Sequence, residues 1–194
     1  MGRVRGASIL GTLGYLRQQY GEAAPQRALD VLPPALLEAI GGGAGVVESG
    51  WYDCQVLSQL TRAADRLWGK GDLQLAREIG RQQAFADVNR FFKWLFRLAG
   101  PRAVFSRAGS VWRNYHDVGI SVLEYVEDGR ACLRIDDWDS ADEILCRRVE
   151  GWMERGFELT IGAQSSPRIR EVQHLGYDPA VTRHRFCRFV AEWK

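Results

Sequence analysis

Near residue 116 the apolar pattern of this chain changes period, and that switch constrains the fold more than any other feature. Upstream, apolar residues recur at three- and four-residue spacing, the repeat of amphipathic helices. Downstream, Ile120, Val122 and Val126 lead through Glu127-Asp128-Gly129-Arg130 into Ala131, Leu133 and Ile135. Alternating β-formers around Asp-Gly predict a two-stranded hairpin. Helices first and strands later predict an α+β fold, with a helical N-terminal half followed by a mostly antiparallel sheet carrying a packed helix. No internal repeat, low-complexity tract or linker interrupts residues 1–194, so one domain is expected, helical over about 1–115 and sheet over about 116–194.

The upstream elements follow from their punctuation. Ala7, Leu10, Leu13 and Leu16 mark a first helix ending near Tyr20-Gly21. Pro33-Pro34 opens a second, closed by the loop Gly41-Gly42-Gly43-Ala44-Gly45. That loop lacks a following Gly-Lys-Ser/Thr and a preceding strand, so it is no phosphate cradle. Asp53 is placed to cap a helix with Val56, Leu57, Leu60, Ala64 and Leu67 on its apolar face, and Asp72 precedes another carrying Leu73, Ala76, Ile79 and Gly80. From Phe85 to Leu98 apolar positions nearly encircle the axis, as in a central helix, and Gly100-Pro101 ends it. A shorter helix is expected over Ala103 to Tyr115. Past the hairpin, Asp139 or Ser140 is expected to cap a helix reaching Arg155, which Gly156 stops. Strands are expected at Phe157 to Ile161, Ile169 to His174 and Arg183 to Trp193.

Composition narrows the function. A formal charge of +2 gives no footprint for nucleic acid. No run approaches the roughly twenty apolar residues that would span a bilayer, so no membrane insertion is expected. With no export signal read at the N-terminus, Cys54, Cys132, Cys146 and Cys187 are expected as reduced thiols in a cytoplasmic protein. Arginines outnumber lysines twenty-three to three, which reads as genomic base composition before phosphate binding. No nucleophile elbow, zinc-protease helix or Walker pattern occurs, and no enzyme is expected.

The chemistry-bearing residues are few. His116, in Trp112-Arg113-Asn114-Tyr115-His116-Asp117, falls at a helix-to-strand junction, as an axial ligand, a pH-sensitive group or a plain junction residue. Cys146, His174 and Cys187 form a conceivable soft-metal set. Their separation gives it no support, and buried cysteines acting as small hydrophobes are the expectation, with no metal and no cofactor. The acids Asp136, Asp137, Asp139, Asp142 and Glu143 straddle a helix start, where capping explains them. Arg168, Arg170, Arg183, Arg185 and Arg188 read as the solvated face of the later strands.

Arg5-Gly6 with Leu13-Gly14-Tyr15-Leu16, Trp51-Tyr52-Asp53, Glu78-Ile79-Gly80-Arg81, Trp112-x-x-Tyr115-x-x-x-Gly119 and Cys187-x-Phe189 resemble an uncharacterised myxobacterial paralogous family of this length. That family is in turn distantly similar to the haem-nitric-oxide-binding, 4-vinyl-reductase and TRAPP-subunit superfamily. The resemblance implies a helical half, a C-terminal antiparallel sheet, and binding of haem, small hydrophobic molecules or protein partners without catalysis. The Tyr-x-Ser-x-Arg motif of haem-binding members is absent, and the neighbours of His116 do not match theirs. Cys146 and Cys187 fit the C-terminal cysteines of the vinyl-reductase type loosely, with His174 where a cysteine is expected.

Two functions follow. One is a non-catalytic sensor holding a small hydrophobic ligand between helices and sheet, against Phe92, Phe96, Trp112, Tyr115 and His116. The other is a protein-interaction module, a homodimer without bound ligand.

Overall fold

The computed structural model describes residues 2–88, 101–162, 166–178, 180 and 185–194. It opens with strand β1 (Arg3–Arg5) and helices α1 (Gly6–Tyr20), α2 (Ala24–Leu29) and α3 (Pro34–Ala39). Strand β2 (Trp51–Asp53) leads into α4 (Cys54–Trp68) and α5 (Gln74–Asp87). Then come α6 (Pro101–Phe105), α7 (Ala108–Tyr115), β3 (Ile120–Glu127), β4 (Arg130–Asp136), α8 (Glu143–Ile161), β5 (Arg168–Gly176) and β6 (Phe186–Glu192). The expected α+β arrangement is what forms, and the hairpin is β3–β4, turned at Asp128-Gly129 with Gly129 at φ 74°.

The C-terminal sheet is antiparallel in the order β3-β4-β6-β5. Pairing of Leu133 with Phe189 and of Ile135 with Cys187 puts one apolar face toward α8 and the helical half. The opposite face carries Arg134 beside Arg188, a like-charge pairing that would be unfavourable by itself. Glu124 on β3 offsets it, accepting from Arg134 at 2.6 Å and Arg188 at 2.8 Å. Arg168 and Arg170 stand exposed on the edge strand β5, as expected of a solvated face.

Several expectations fail locally, and the single helix expected over Ala103 to Tyr115 is two, α6 and α7. Gly156 does not stop α8: the helix runs on to Ile161, so the strand expected at Phe157 to Ile161 is helical. Phe157 continues the apolar stripe one turn beyond Met153, is 2% exposed, and packs on Phe105 and Trp193. The cap is also displaced, to Asp142, whose Oδ1 accepts from Leu145 N at 2.8 Å. Asp53 does cap α4, through Gln55 N at 2.8 Å. The long apolar helix expected from Phe85 to Leu98 lies mostly outside the described residues.

Neither β1 nor β2 is apparent from pattern, since each has only three residues. They pair antiparallel, Val4 opposite Tyr52, and Val4 also bridges His116. Asp117 N donates to Arg3 O at 3.1 Å, and the Asp117 carboxylate accepts from the Arg3 backbone and side chain at 2.6 Å. The first strand is thereby tied to the junction between α7 and the sheet.

Helices α5 and α8 cross closely. Gly80 and Gly151 meet the partner backbone there: a methyl on Gly80 would run into the Arg148 carbonyl oxygen, and one on Gly151 into that of Arg77. Beside the crossing, Arg77 and Arg81 of α5 pair with Glu150, Glu154 and Glu158 of α8, which recur every four residues and so face one way.

Candidate functional site

Between α7, α8, the inner sheet face and the helical half lies a cavity of about 120 Å³. Its walls are mostly apolar: Val104, Phe105 and Val111 on one side, Leu133 from the sheet, and Leu145, Val149, Met153 and Phe157 from α8. Trp112, Tyr115 and His116, expected to line a pocket, do line this one. Phe92 and Phe96, expected with them, lie outside the described residues.

His116 follows the last residue of α7, and its ring stacks on Trp112 with centroids 4.0 Å apart and planes at 11°. Trp138 meets both rings edge-on. Burial, with the charge of Arg148 adding to it, holds the His116 pKa down to about 3, so the imidazole is neutral at physiological pH. Its Nδ1 is buried with no hydrogen-bond partner among the described residues, and so is the indole Nε1 of Trp138.

Arg148 is the lining residue that pattern reading misses. It is 5% exposed, and its guanidinium reaches Thr12 of α1, Thr61 of α4 and Gln83 of α5. Trp152, also on α8, lines the cavity and donates to Asp87 at 3.0 Å. Burial raises the pKa of that carboxyl despite the hydrogen bond, and burial likewise raises the Tyr115 phenol.

A second constellation lies where α8 packs on the sheet at β5. Cys146 of α8, Glu171 and His174 of β5 and Cys187 of β6 bring one donor atom each within 4.8 Å of one another. His174 Nδ1 is 3.4 Å from Cys146 Sγ, 3.7 Å from Cys187 Sγ and 3.0 Å from Glu171 Oε1. Spacing in the chain gives no hint of this. Convergence comes from β5 pairing with β6 and α8 packing on them, and Glu171 is a fourth member that the sequence reading passes over. The backbone N–H of Glu171 donates to buried Glu150 at 2.5 Å, which fixes β5 against the helix that carries Cys146.

No family model and no curated protein matches the sequence. Solved structures do. A Cs H-NOX mutant carrying 4-cyano-L-phenylalanine aligns over 98% of this chain and 96% of its own, with a TM-score of 0.69 and 12% identity. A mutant of T. Tengcongensis H-NOX aligns over 98% and 97%, with a TM-score of 0.66 and 14% identity. An oxygen-binding H-NOX domain related to soluble guanylate cyclases, in its oxygen complex, aligns over 98% and 95%, with a TM-score of 0.63 and 14% identity. The chain therefore has the H-NOX fold over nearly its whole length, as its resemblance to the haem-nitric-oxide-binding branch implies.

Proposed function

We propose that this chain is a non-catalytic sensory domain that takes a compact apolar molecule into the cavity between its helices and its sheet. The observation that carries this reading is the cavity itself, walled by Trp112, Tyr115, His116 and the apolar stripe of α8. Its place within a fold shared with an oxygen-binding domain supports it.

Haem is the group this fold brings to mind, and the described residues do not fit it. Drug-sized ligands occupy roughly 300–1,000 Å³, whereas the cavity offers about 120 Å³. Titration with haemin is accordingly expected to give no saturable one-to-one absorption change.

Native mass spectrometry against the denatured mass tests the reading: a retained small molecule lighter than haem is expected, lost on unfolding. Val149→Phe, which fills the cavity, is expected to abolish both that mass and uptake of added benzyl alcohol. A wild-type protein that is bare and takes up no such probe would sink the proposal.

A separate observation favours a metal centre beside this site. Donors on one tetrahedral zinc, at ~2.3 Å for sulfur and ~2.0 Å for nitrogen, stand about 3.5–3.8 Å apart. The two sulfur–nitrogen separations at His174, 3.4 and 3.7 Å, match that spacing. Two thiolates, an imidazole and a carboxylate suit zinc, which would clamp α8 to β5 and β6 in a structural role. Purified protein is expected to carry about one zinc per chain by elemental analysis. Cys187→Ser should lose most of it and melt several degrees lower. Metal-free wild type that gains no thermal stability from added zinc would exclude the centre.

A further inference from the structure

The charge on Arg148 has no ionic counterpart within reach. Nη1 donates to Thr12 Oγ1 at 2.9 Å and Thr61 Oγ1 at 3.3 Å, and Nη2 to Gln83 Oε1 at 2.8 Å. All three acceptors are neutral, and these bonds engage at most three of the five guanidinium N–H donors. No described carboxylate pairs with it. Asp87 acts on it only through space, and its own Oδ2 is taken by Trp152. Burial pulls the Arg148 pKa down to about 10, which still leaves it charged at neutral pH.

A buried charge with only neutral partners is costly, and removing it or pairing it relieves that cost. The side chain is not a stray surface residue turned inward, since three helices supply its acceptors and so hold its position. It lines the apolar cavity. A purely hydrocarbon ligand would leave that charge unanswered.

We infer that the ligand of this cavity is a small organic anion, a carboxylate on a compact apolar body, whose head meets the guanidinium edge of Arg148 left free by Thr12, Thr61 and Gln83. The inference rests on the cavity being the binding site, as proposed above. The body lies among Leu145, Val149, Trp152 and Phe157. Size sets its scale: a 120 Å³ space compares with the roughly 150 Å³ that admits benzene in an engineered apolar cavity.

Benzoate and benzyl alcohol, close in shape and different in charge, are the probes. Binding to the full chain at pH 7 is followed by ligand-observed NMR, with Val149→Phe as the control for binding elsewhere. Wild type is expected to hold benzoate at least about tenfold more tightly, the scale of a charge-assisted hydrogen bond. Arg148→Met is expected to lose that preference while keeping benzyl alcohol, and Arg148→Lys to keep part of it. Equal binding of both probes by wild type overturns the anion class and leaves the cavity reading standing. Binding of neither overturns both. Should Arg148→Met fail to fold, the wild-type ratio and Arg148→Lys decide alone; a preference that survives in folded Arg148→Met overturns the assignment to this residue.

Discussion

Replacing Gly151 by alanine is expected to destabilise the protein by about 3 kcal/mol or more, at the upper end for overpacking. The added methyl would meet the Arg77 carbonyl oxygen, a backbone atom that no side-chain rotation can move aside. Relief requires α5 and α8 to separate, which would loosen the packing along both helices and the ion pairs beside them. For a chain of this length such a loss lowers the melting temperature by roughly 6–12 °C. Gly80→Ala, which faces the Arg148 carbonyl, should behave alike. Gly14→Ala is the control: nothing lies within 4 Å of the new atom. There a helical glycine-to-alanine change should stabilise by about 0.5–1 kcal/mol. Thermal unfolding of the three variants checks this, and a Gly151→Ala protein as stable as wild type would refute the close crossing.

Glu150→Ala is expected to cost about 2–3 kcal/mol, the scale for losing charge-assisted hydrogen bonds and leaving a buried N–H unsatisfied. Glu150 is fully buried, and its carboxylate accepts from Arg77 at 3.0 Å, from Arg147 at 2.9 Å and from the Glu171 backbone at 2.5 Å. Removal takes one of two carboxylates from Arg77, which keeps Glu154, and leaves the Glu171 N–H without its acceptor. Glu158→Ala, whose side chain is 14% exposed and makes no backbone bond of this kind, should cost much less. Denaturant titration separates the two. A Glu150→Ala loss below about 1 kcal/mol would mean that water or another acceptor replaces the carboxylate readily.

Much of this architecture is legible in residue order because it is set locally. The Asp-Gly hairpin, the Asp53 cap and the switch from helices to strands each depend on neighbours in the chain. The end of α8 is not local: Gly156 has the chemistry of a stop, but burial of Phe157 against Phe105 and Trp193 outweighs the small helical penalty of one glycine. The same divide runs through the site. Trp112, Tyr115 and His116 are visible as an aromatic cluster at a junction. Arg148 is not, because an arginine on an amphipathic helix ordinarily faces water, and its burial is decided by Thr12, Thr61 and Gln83, far away in sequence. Cys146, His174 and Cys187 are visible as residue types, but their meeting depends on strand pairing, which spacing does not encode. Gly151 carries no local signal either, since close backbone approach is a property of two helices and not of one.

The pairing of β1 with β2 and with His116 has a mechanical consequence. Val4 lies at the crossing of two restraints, one to Tyr52 and one to the imidazole-bearing residue at the cavity wall. Tension or steric load applied at the N-terminal end would reach that wall within four residues, without passing through the helical core. The other end of the described chain loads the same wall by a second route, through Trp193, which packs on Phe105 and Phe157.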